Sequence, residues 1–192
     1  FSNICGDGEG CIRSLSPLFH TGTTLAIFYS AFKITKNLYS SIFASCAFLL
    51  MPGVTFSSLL ISTDVPLLFF STLLGALIIK IHQEKRVQYK IIYFLVPITL
   101  SLAILSKYAA IYLIFSLIIA SIIVPSLKDL LFKKEFLYSF LAFLFLILPN
   151  IIWNFQNGFV TFNHTFDNAN IKSFSISFYE PMKFFLMQFL IF

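Results

Sequence analysis

Asp64 is the residue of this sequence whose position points most directly to chemistry. It stands in residues 62–66 (STDVP), immediately before a long apolar run that predicts a membrane helix. A carboxylate at the mouth of a membrane helix is energetically costly, and it is a functional candidate by default. Asp64 could serve as a catalytic base or as a metal ligand. The structural alternative is a helix cap, because the carboxylate lies beside the positive end of a helix that starts at a proline.

Five other charged or ionisable residues are candidates for the same site. Glu9 and Arg13 have the i, i+4 spacing of a local ion pair on one helix face, which could be structural or part of a site. Lys107 lies in a short turn between two apolar helices, where it could snorkel to the surface or hold an anionic phosphate. His164 with Asp167 could bind a divalent metal, although a histidine at an interface is usually only solvated.

The elements that position these residues are membrane helices. Hydrophobic residues make up 58% of the chain and charged residues 11%, whereas a soluble domain carries about 25% charged residues. Folding in water would leave more apolar surface than this chain could bury. The fold class is therefore all-α, a polytopic transmembrane helical bundle. The net charge of +5 is explained by loop lysines and requires no nucleic-acid partner.

Apolar windows predict about six full spans and one truncated span. The predicted spans are residues 17–32, 39–61 with a break at Pro52-Gly53, 65–81, 91–124 as two spans that turn at residues 106–108, 136–152, and a last one from near Tyr179. The chain starts at Phe1 and stops within an apolar run. We therefore expect residues 1–192 to be a single transmembrane domain that is an internal piece of a longer protein.

The basic residues predict the orientation of these spans in the plasma (inner) membrane. With alternating spans, nine of the thirteen Lys and Arg residues fall on one side, which the positive-inside rule makes cytoplasmic. These nine are Lys33, Lys36, Lys80, Lys85, Arg86, Lys90, Lys128, Lys133 and Lys134. The opposite, extracytoplasmic face collects all the candidate site residues. It includes the aromatic loop 153–178, which opens with Trp153 and Asn154 and is predicted to be a lid or an amphipathic interfacial helix.

Four stretches, in order along the chain, resemble the bacterial integral-membrane glycosyltransferases of the dolichyl-phosphate-mannose protein mannosyltransferase and aminoarabinose transferase type. Residues 8–17 (GEGCIRSLSP) are similar to the family's acidic-x-x-x-Arg start of a helix, and residues 63–70 (TDVPLLFF) to its TDAPLLFF. Residues 102–108 (LAILSKY) are similar to the family's GLAFLSKY turn. Residues 148–162 (LPNIIWNFQNGFVTF) resemble its P-x-x-W-N-x-Q-x-G-W-x-x-F stretch.

The resemblance implies a GT-C fold and an inverting transfer of a sugar from a polyprenyl-phosphate donor to a lipid, protein or glycan acceptor. By motif, Asp64 corresponds to a site acid, while Lys107 and Arg13 correspond to donor phosphate-binding residues. Glu9 and His164 are site or metal-ligand candidates, so a divalent metal is the one cofactor implied. The family's first periplasmic loop, with its principal Asp, would lie upstream of Phe1, and the fragment alone is expected to be inactive.

Two alternatives come from other functional classes. A transporter segment would place charges inside spans, or short broken spans in matching halves, and Pro52-Gly53 and Pro97 are weak signs of broken helices. A decayed gene remnant would fold poorly and have no activity. The charges gather at one face and not at mid-membrane depth, which favours a site that opens at the membrane surface.

Overall fold

The computed structural model describes residues 8–60, 62–83, 89–125, 127–128, 133–168 and 178–188. These residues form helices and turns and include no strand, which confirms the all-α class. The helices are α1 (Glu9–Arg13), α2 (Leu15–Thr35), α3 (Leu38–Leu50), α4 (Pro52–Ser58), α5 (Asp64–Gln83), α6 (Tyr89–Ser106), α7 (Ile111–Ile123), α8 (Glu135–Gln156), α9 (Val160–Asn168) and α10 (Tyr179–Gln188). The chain divides within α8 into two compact units, which are residues 1–150 and residues 151–192.

In the first unit, α2 packs between α3 and α5, and α5 packs in turn on α6. Small polar residues line the contact of α2 with α3, where Thr23 and Ser41 are fully buried and the Ser45 hydroxyl donates to the Thr24 carbonyl. Small residues let membrane helices approach closely. The contact of α2 with α5 is equally close, because a Cβ on Gly22 would lie 2.5 Å from the Phe69 ring.

The apolar core of this unit lies where α5, α6, α8 and the turn before α7 meet. Its buried members are Leu74, Leu100, Ala103, Ile104, Ala110 and Ile147. Many other large apolar side chains are exposed, among them Ile122 on α7 and Phe145 on α8, each with more than three quarters of its surface open. A soluble protein would not leave such faces uncovered, whereas lipid tails solvate them. The chain is therefore a membrane protein.

The second predicted span is a bent pair of helices, α3 and α4, as the Pro52-Gly53 signal indicated. The axes change direction by 62° at Met51, which has an extended backbone, and Pro52 opens α4. Proline has no amide hydrogen to continue the helix and suits the first position of the next one. Two side chains of α2 hold α4 in place: the Ser16 hydroxyl donates to the Leu60 carbonyl just after α4, and His20 Nε2 bonds Ser57 Oγ at 2.9 Å.

The predicted division of residues 91–124 into two helices is confirmed. Helix α6 ends at Ser106, Lys107 is extended, and a short 3₁₀ turn from Tyr108 to Ala110 leads into α7. Three polar links then join α6 and its turn to α8 in the same order along both helices. They are Ser139 Oγ to the Tyr93 carbonyl, Ser101 Oγ to the Phe143 carbonyl, and Tyr108 Oη to Asn150 Oδ1. Helices α6 and α8 therefore run parallel, as alternating spans require.

Within the described residues, two helices, α5 and α8, are long and apolar enough to cross a membrane, and the bent α3–α4 pair makes a third. The apolar segments 93–106 and 108–123 are shorter. The first predicted span lies within α2, which is longer than predicted at both ends. The expectation of about six full spans stays a prediction.

The second unit begins in the last turn of α8 and corrects one prediction. Trp153 and Asn154 were assigned to the loop 153–178, but both are helical, because α8 continues to Gln156. The helix continues through Pro149, and it ends only shortly before Gly158, whose backbone is left-handed (φ +65°). The loop contains one described helix, α9, and its predicted role as a lid or interfacial helix stays a prediction. Residues 169–177 lie outside the described residues.

Candidate active site

Asp64 is the first residue of α5, as its sequence context predicted. Its amide donates to the Ser62 hydroxyl at 3.2 Å, and that hydroxyl lies 3.3 Å from Asp64 Oδ2. Pro66 follows in the first turn, where the missing amide hydrogen leaves no helical bond unmade. Among the described residues, the hydrogen-bond partners of the carboxylate are the side chains of Ser62 and Lys107, not a backbone amide of the helix. The carboxylate is therefore available for a partner other than its own helix.

Lys107 is the single extended residue between α6 and the 3₁₀ turn. Its amide donates to the Ala103 carbonyl at 3.1 Å, and its carbonyl accepts from the Ala110 amide at 2.9 Å. Backbone bonds on both sides thus fix the conformation of this residue, with φ −159° and ψ 131°. An extended residue at the end of a helix directs its side chain away from the helix axis, so the ammonium can reach another element.

The structure brings these two residues together. Lys107 Nζ lies 2.6 Å from Asp64 Oδ1, across 43 positions of sequence. The pair is open to the surroundings, since the side-chain exposure is 44% for Lys107 and 62% for Asp64. An ion pair this exposed adds only about 0–1 kcal/mol to stability, so stability alone does not account for the pairing. Chemically, it places a proton acceptor and a compact positive charge in contact at one mouth of the bundle.

Glu9 and Arg13 form the local ion pair that their spacing predicted. Arg13 Nη2 lies 3.2 Å from Glu9 Oε2, and both side chains are exposed. Helix α1 packs on α2, and the Ser14 hydroxyl that follows α1 bonds back to the Cys11 carbonyl. Within the described part of the chain, neither Glu9 nor Arg13 contacts Asp64 or Lys107. Their assignment to the site therefore stays a prediction.

His164 and Asp167 are exposed residues of α9 in the second unit. No three His, Cys, Asp or Glu side chains of the described residues gather into a group that could hold a metal ion. A bound Mg²⁺ needs fewer protein ligands than this, because one or two carboxylates hold it together with water and substrate phosphate. The divalent metal, and His164 as its ligand, therefore remain predictions.

Trp153 and Asn154 have different environments in the last turn of α8. Trp153 is half exposed, as expected of an aromatic residue at a membrane interface. Asn154 is completely buried, its side chain accepts a hydrogen bond from the Thr161 hydroxyl, and its carbonyl accepts from the Phe159 amide at 2.8 Å. Asn154 therefore connects α8 to α9 across the turn at Gly158.

Comparison with known proteins decides the family. A family model described as "Dolichyl-phosphate-mannose-protein mannosyltransferase" matches residues 1–153, which is most of the chain. The chain belongs to the dolichyl-phosphate-mannose-protein mannosyltransferase family. The matched range contains Asp64, Lys107, Glu9 and Arg13, and it ends before His164.

The chain is also similar to a curated protein of Rhizobium johnstonii named "Lipid A galacturonosyltransferase RgtD", with 27% identity over 178 residues. That alignment covers 93% of this chain but 36% of the relative, so the chain spans about a third of the length of this relative. No solved structure matches the chain.

Sequence reasoning missed two features of the candidate site and its support. The first is the hydrogen bond of 2.6 Å from the Tyr108 hydroxyl to Asn150 Oδ1, which joins two of the stretches that resemble the mannosyltransferase family. The second is His20, which is 4% exposed and bonds Ser57. Both features had a signal in the sequence, because Asn150 and His20 are polar residues inside apolar segments. An amide or imidazole within a membrane span needs a hydrogen-bond partner.

Proposed function

We propose that the full-length protein is an inverting glycosyltransferase of the plasma (inner) membrane, where it is a multi-pass protein. It transfers a sugar from a polyprenyl-phosphate donor to an acceptor on the extracytoplasmic face. The observation that carries this proposal is the 2.6 Å contact between Lys107 Nζ and Asp64 Oδ1, since these are the acid and the lysine of two separate family-like stretches. Membership of the mannosyltransferase family supports the reaction class.

In the proposed reaction, Asp64 is the general base. Its carboxylate takes the proton from an acceptor hydroxyl, the freed oxygen attacks the anomeric carbon, and the bond from that carbon to the phosphate oxygen breaks. The electron pair of the broken bond leaves with the polyprenyl phosphate. Lys107 stabilises the charge that develops there, because a positioned ammonium lies where the leaving phosphate gains charge. Attack from the face opposite the phosphate inverts the anomeric configuration.

The contact between Lys107 and Asp64 gives donor binding a further role, which is to free the Asp64 carboxylate. The phosphate of an arriving donor competes with Asp64 for the Lys107 ammonium, whose one described contact is that carboxylate. Transfer of the ammonium to the phosphate releases the carboxylate to accept a proton. The open surroundings of both side chains leave room for this exchange, so we expect donor to bind before acceptor.

The acceptor we favour is a membrane glycolipid of the lipid A type. The support is the name of the R. johnstonii relative, which describes a lipid A galacturonosyltransferase. A site at the mouth of membrane helices also suits an acceptor that is itself held in the bilayer. A protein or soluble glycan acceptor would be the alternative outcome of an acceptor screen.

The test is sugar transfer by the purified full-length protein in liposomes, with a polyprenyl-phosphate sugar as donor and lipid A as acceptor. We expect Asp64→Asn to lower kcat at least about 100-fold, since a general base contributes about 10²–10⁴-fold. Glu135→Gln is the matched control, because Glu135 is an exposed acid at the start of α8 outside the site. Normal transfer by Asp64→Asn would show that Asp64 is a structural residue. A folded wild-type protein without transfer to any acceptor would favour a transporter, whereas a protein that folds poorly would favour a gene remnant.

A further inference from the structure

We propose that Tyr108 and Asn150 form a positioning pair that sets the place of the Lys107 ammonium. This inference rests on the proposed function, because it concerns how the same site is held. The pair joins the turn that carries Lys107 to helix α8, through a hydrogen bond of 2.6 Å from the tyrosine hydroxyl to the amide oxygen.

The main-chain hydrogen bonds of Lys107 fix the shape of the turn. Both go to neighbours in sequence, to Ala103 in α6 and to Ala110 in the 3₁₀ turn. The packing of α6 on α5 places this end of α6 near Asp64, the first residue of α5. Contacts of the turn itself then set the place of the Lys107 side chain more finely.

Tyr108 supplies such a contact because it is joined to Lys107 by one peptide bond. Its ring packs against the core cluster, whose members come from α5 (Leu74), α6 (Ala103, Ile104), α8 (Ile147) and the turn itself (Ala110). Its hydroxyl continues past the core to Asn150 on α8. The tyrosine therefore connects the turn to the core cluster by packing and to α8 by a directed hydrogen bond.

Asn150, the partner of Tyr108, is fixed by its position within α8. It lies inside α8, one residue after Pro149, and it is partly buried. A primary amide in this apolar helix requires hydrogen-bond partners, because desolvating it without one costs roughly 1–3 kcal/mol in proteins. The 2.6 Å bond to Tyr108 meets part of this requirement and fixes the position of the turn. Loss of the tyrosine hydroxyl would remove this link between the turn and α8 while the packing of the ring in the core remains.

The experiment measures donor kinetics in the full-length protein with Tyr108→Phe, which keeps the ring in the core and removes only the hydroxyl. We expect kcat/KM for the donor to fall about 5-fold, mainly through KM, because loss of one net hydrogen bond is worth about this factor. Tyr112→Phe is the matched control, since Tyr112 is a nearby tyrosine of α7 with 71% exposure. It should leave kcat/KM unchanged.

A double-mutant cycle with Lys107→Ala distinguishes a positioning role of Tyr108 from a purely structural one. If Tyr108 acts through Lys107, Tyr108→Phe has no further effect on kcat/KM once Lys107 is absent. A structural effect would lower kcat/KM by the same factor in both backgrounds, and that result would overturn the proposal. Asn150→Ala is the second variant if Tyr108→Phe does not fold, and it should show the same dependence on Lys107.

A second readout does not depend on transfer. Binding of undecaprenyl phosphate to the protein in detergent micelles should weaken about 5-fold in Tyr108→Phe and stay unchanged in Tyr112→Phe. If wild-type protein neither transfers sugar nor binds undecaprenyl phosphate, the proposed function fails, and the positioning role fails with it. If wild-type binding depends on Lys107 but Tyr108→Phe binds like Tyr112→Phe, the positioning role alone is wrong.

Discussion

At the scale of single residues, Lys107 is where the structural and chemical explanations of the site can be separated. Its ion pair with Asp64 is exposed, so removing the ammonium should change the free energy of unfolding by no more than about 1 kcal/mol. A charged hydrogen bond to a phosphate is worth more, about 1.5–3 kcal/mol. Stability and donor binding should therefore respond very differently to the same substitution.

We expect Lys107→Ala to raise KM for the polyprenyl-phosphate donor by about 10-fold or more, because the phosphate loses its cation. Lys107→Arg should keep part of the affinity, since it keeps the charge. Steady-state kinetics and thermal unfolding in detergent check the two effects together, with the exposed Lys134→Ala as control. An unchanged KM would mean that Lys107 only snorkels to the surface.

At the scale of elements, the position of Asp64 depends on how closely α5 packs on α2. Gly22 makes this approach possible, and the Phe69 ring that faces it is itself held by Phe19 and Phe70, with ring centroids 5.5 and 5.1 Å away. The ring therefore has little room to move. The neighbouring contact of His20 with Ser57 sets the bent helix α4 against the same face of the bundle.

We predict that Gly22→Ala destabilises the protein by about 1–3 kcal/mol, because the added methyl group overpacks the contact with Phe69. Gly75→Ala, in the middle of α5, is the matched control, because its Cβ would meet nothing within 4 Å. Alanine also has the higher helix propensity, so this control should be neutral or slightly stabilising. Thermal unfolding in detergent compares the two, and equal stability of both variants would contradict the prediction.

At the scale of the whole molecule, polar contacts show which helix ends lie on the same side of the bundle. The side with Asp64 also has Lys107 and Asn150, while the Gln83 side chain bonds the Lys33 carbonyl at the far ends of α5 and α2. This division agrees with the one that the Lys and Arg pattern predicts. The described helices long enough to span a membrane do not by themselves give the number of crossings.

Labelling of single cysteines with a membrane-impermeant maleimide tests this orientation. In a background with Cys5, Cys11 and Cys46 replaced by serine, we expect Thr63→Cys to react in intact cells. Lys134→Cys should react only after the membrane is permeabilised, because the positive-inside rule places it in the cytoplasm. Both positions are exposed in the structure, so a difference reports the side of the membrane. The reverse labelling pattern would place the candidate site in the cytoplasm.

The sequence by itself determined the membrane class, the break at Pro52, the turn at Lys107 and the ion pair of Glu9 with Arg13. These features depend on local chemistry: apolar length, a missing amide hydrogen, and side chains four residues apart on one helix. Trp153 and Asn154 were misplaced because a helix end depends on a glycine several residues later. The Asp64–Lys107 and Tyr108–Asn150 contacts were decided only by the tertiary structure. Each joins residues more than 40 positions apart, and the packing of helices against one another, which no local pattern encodes, sets such distances.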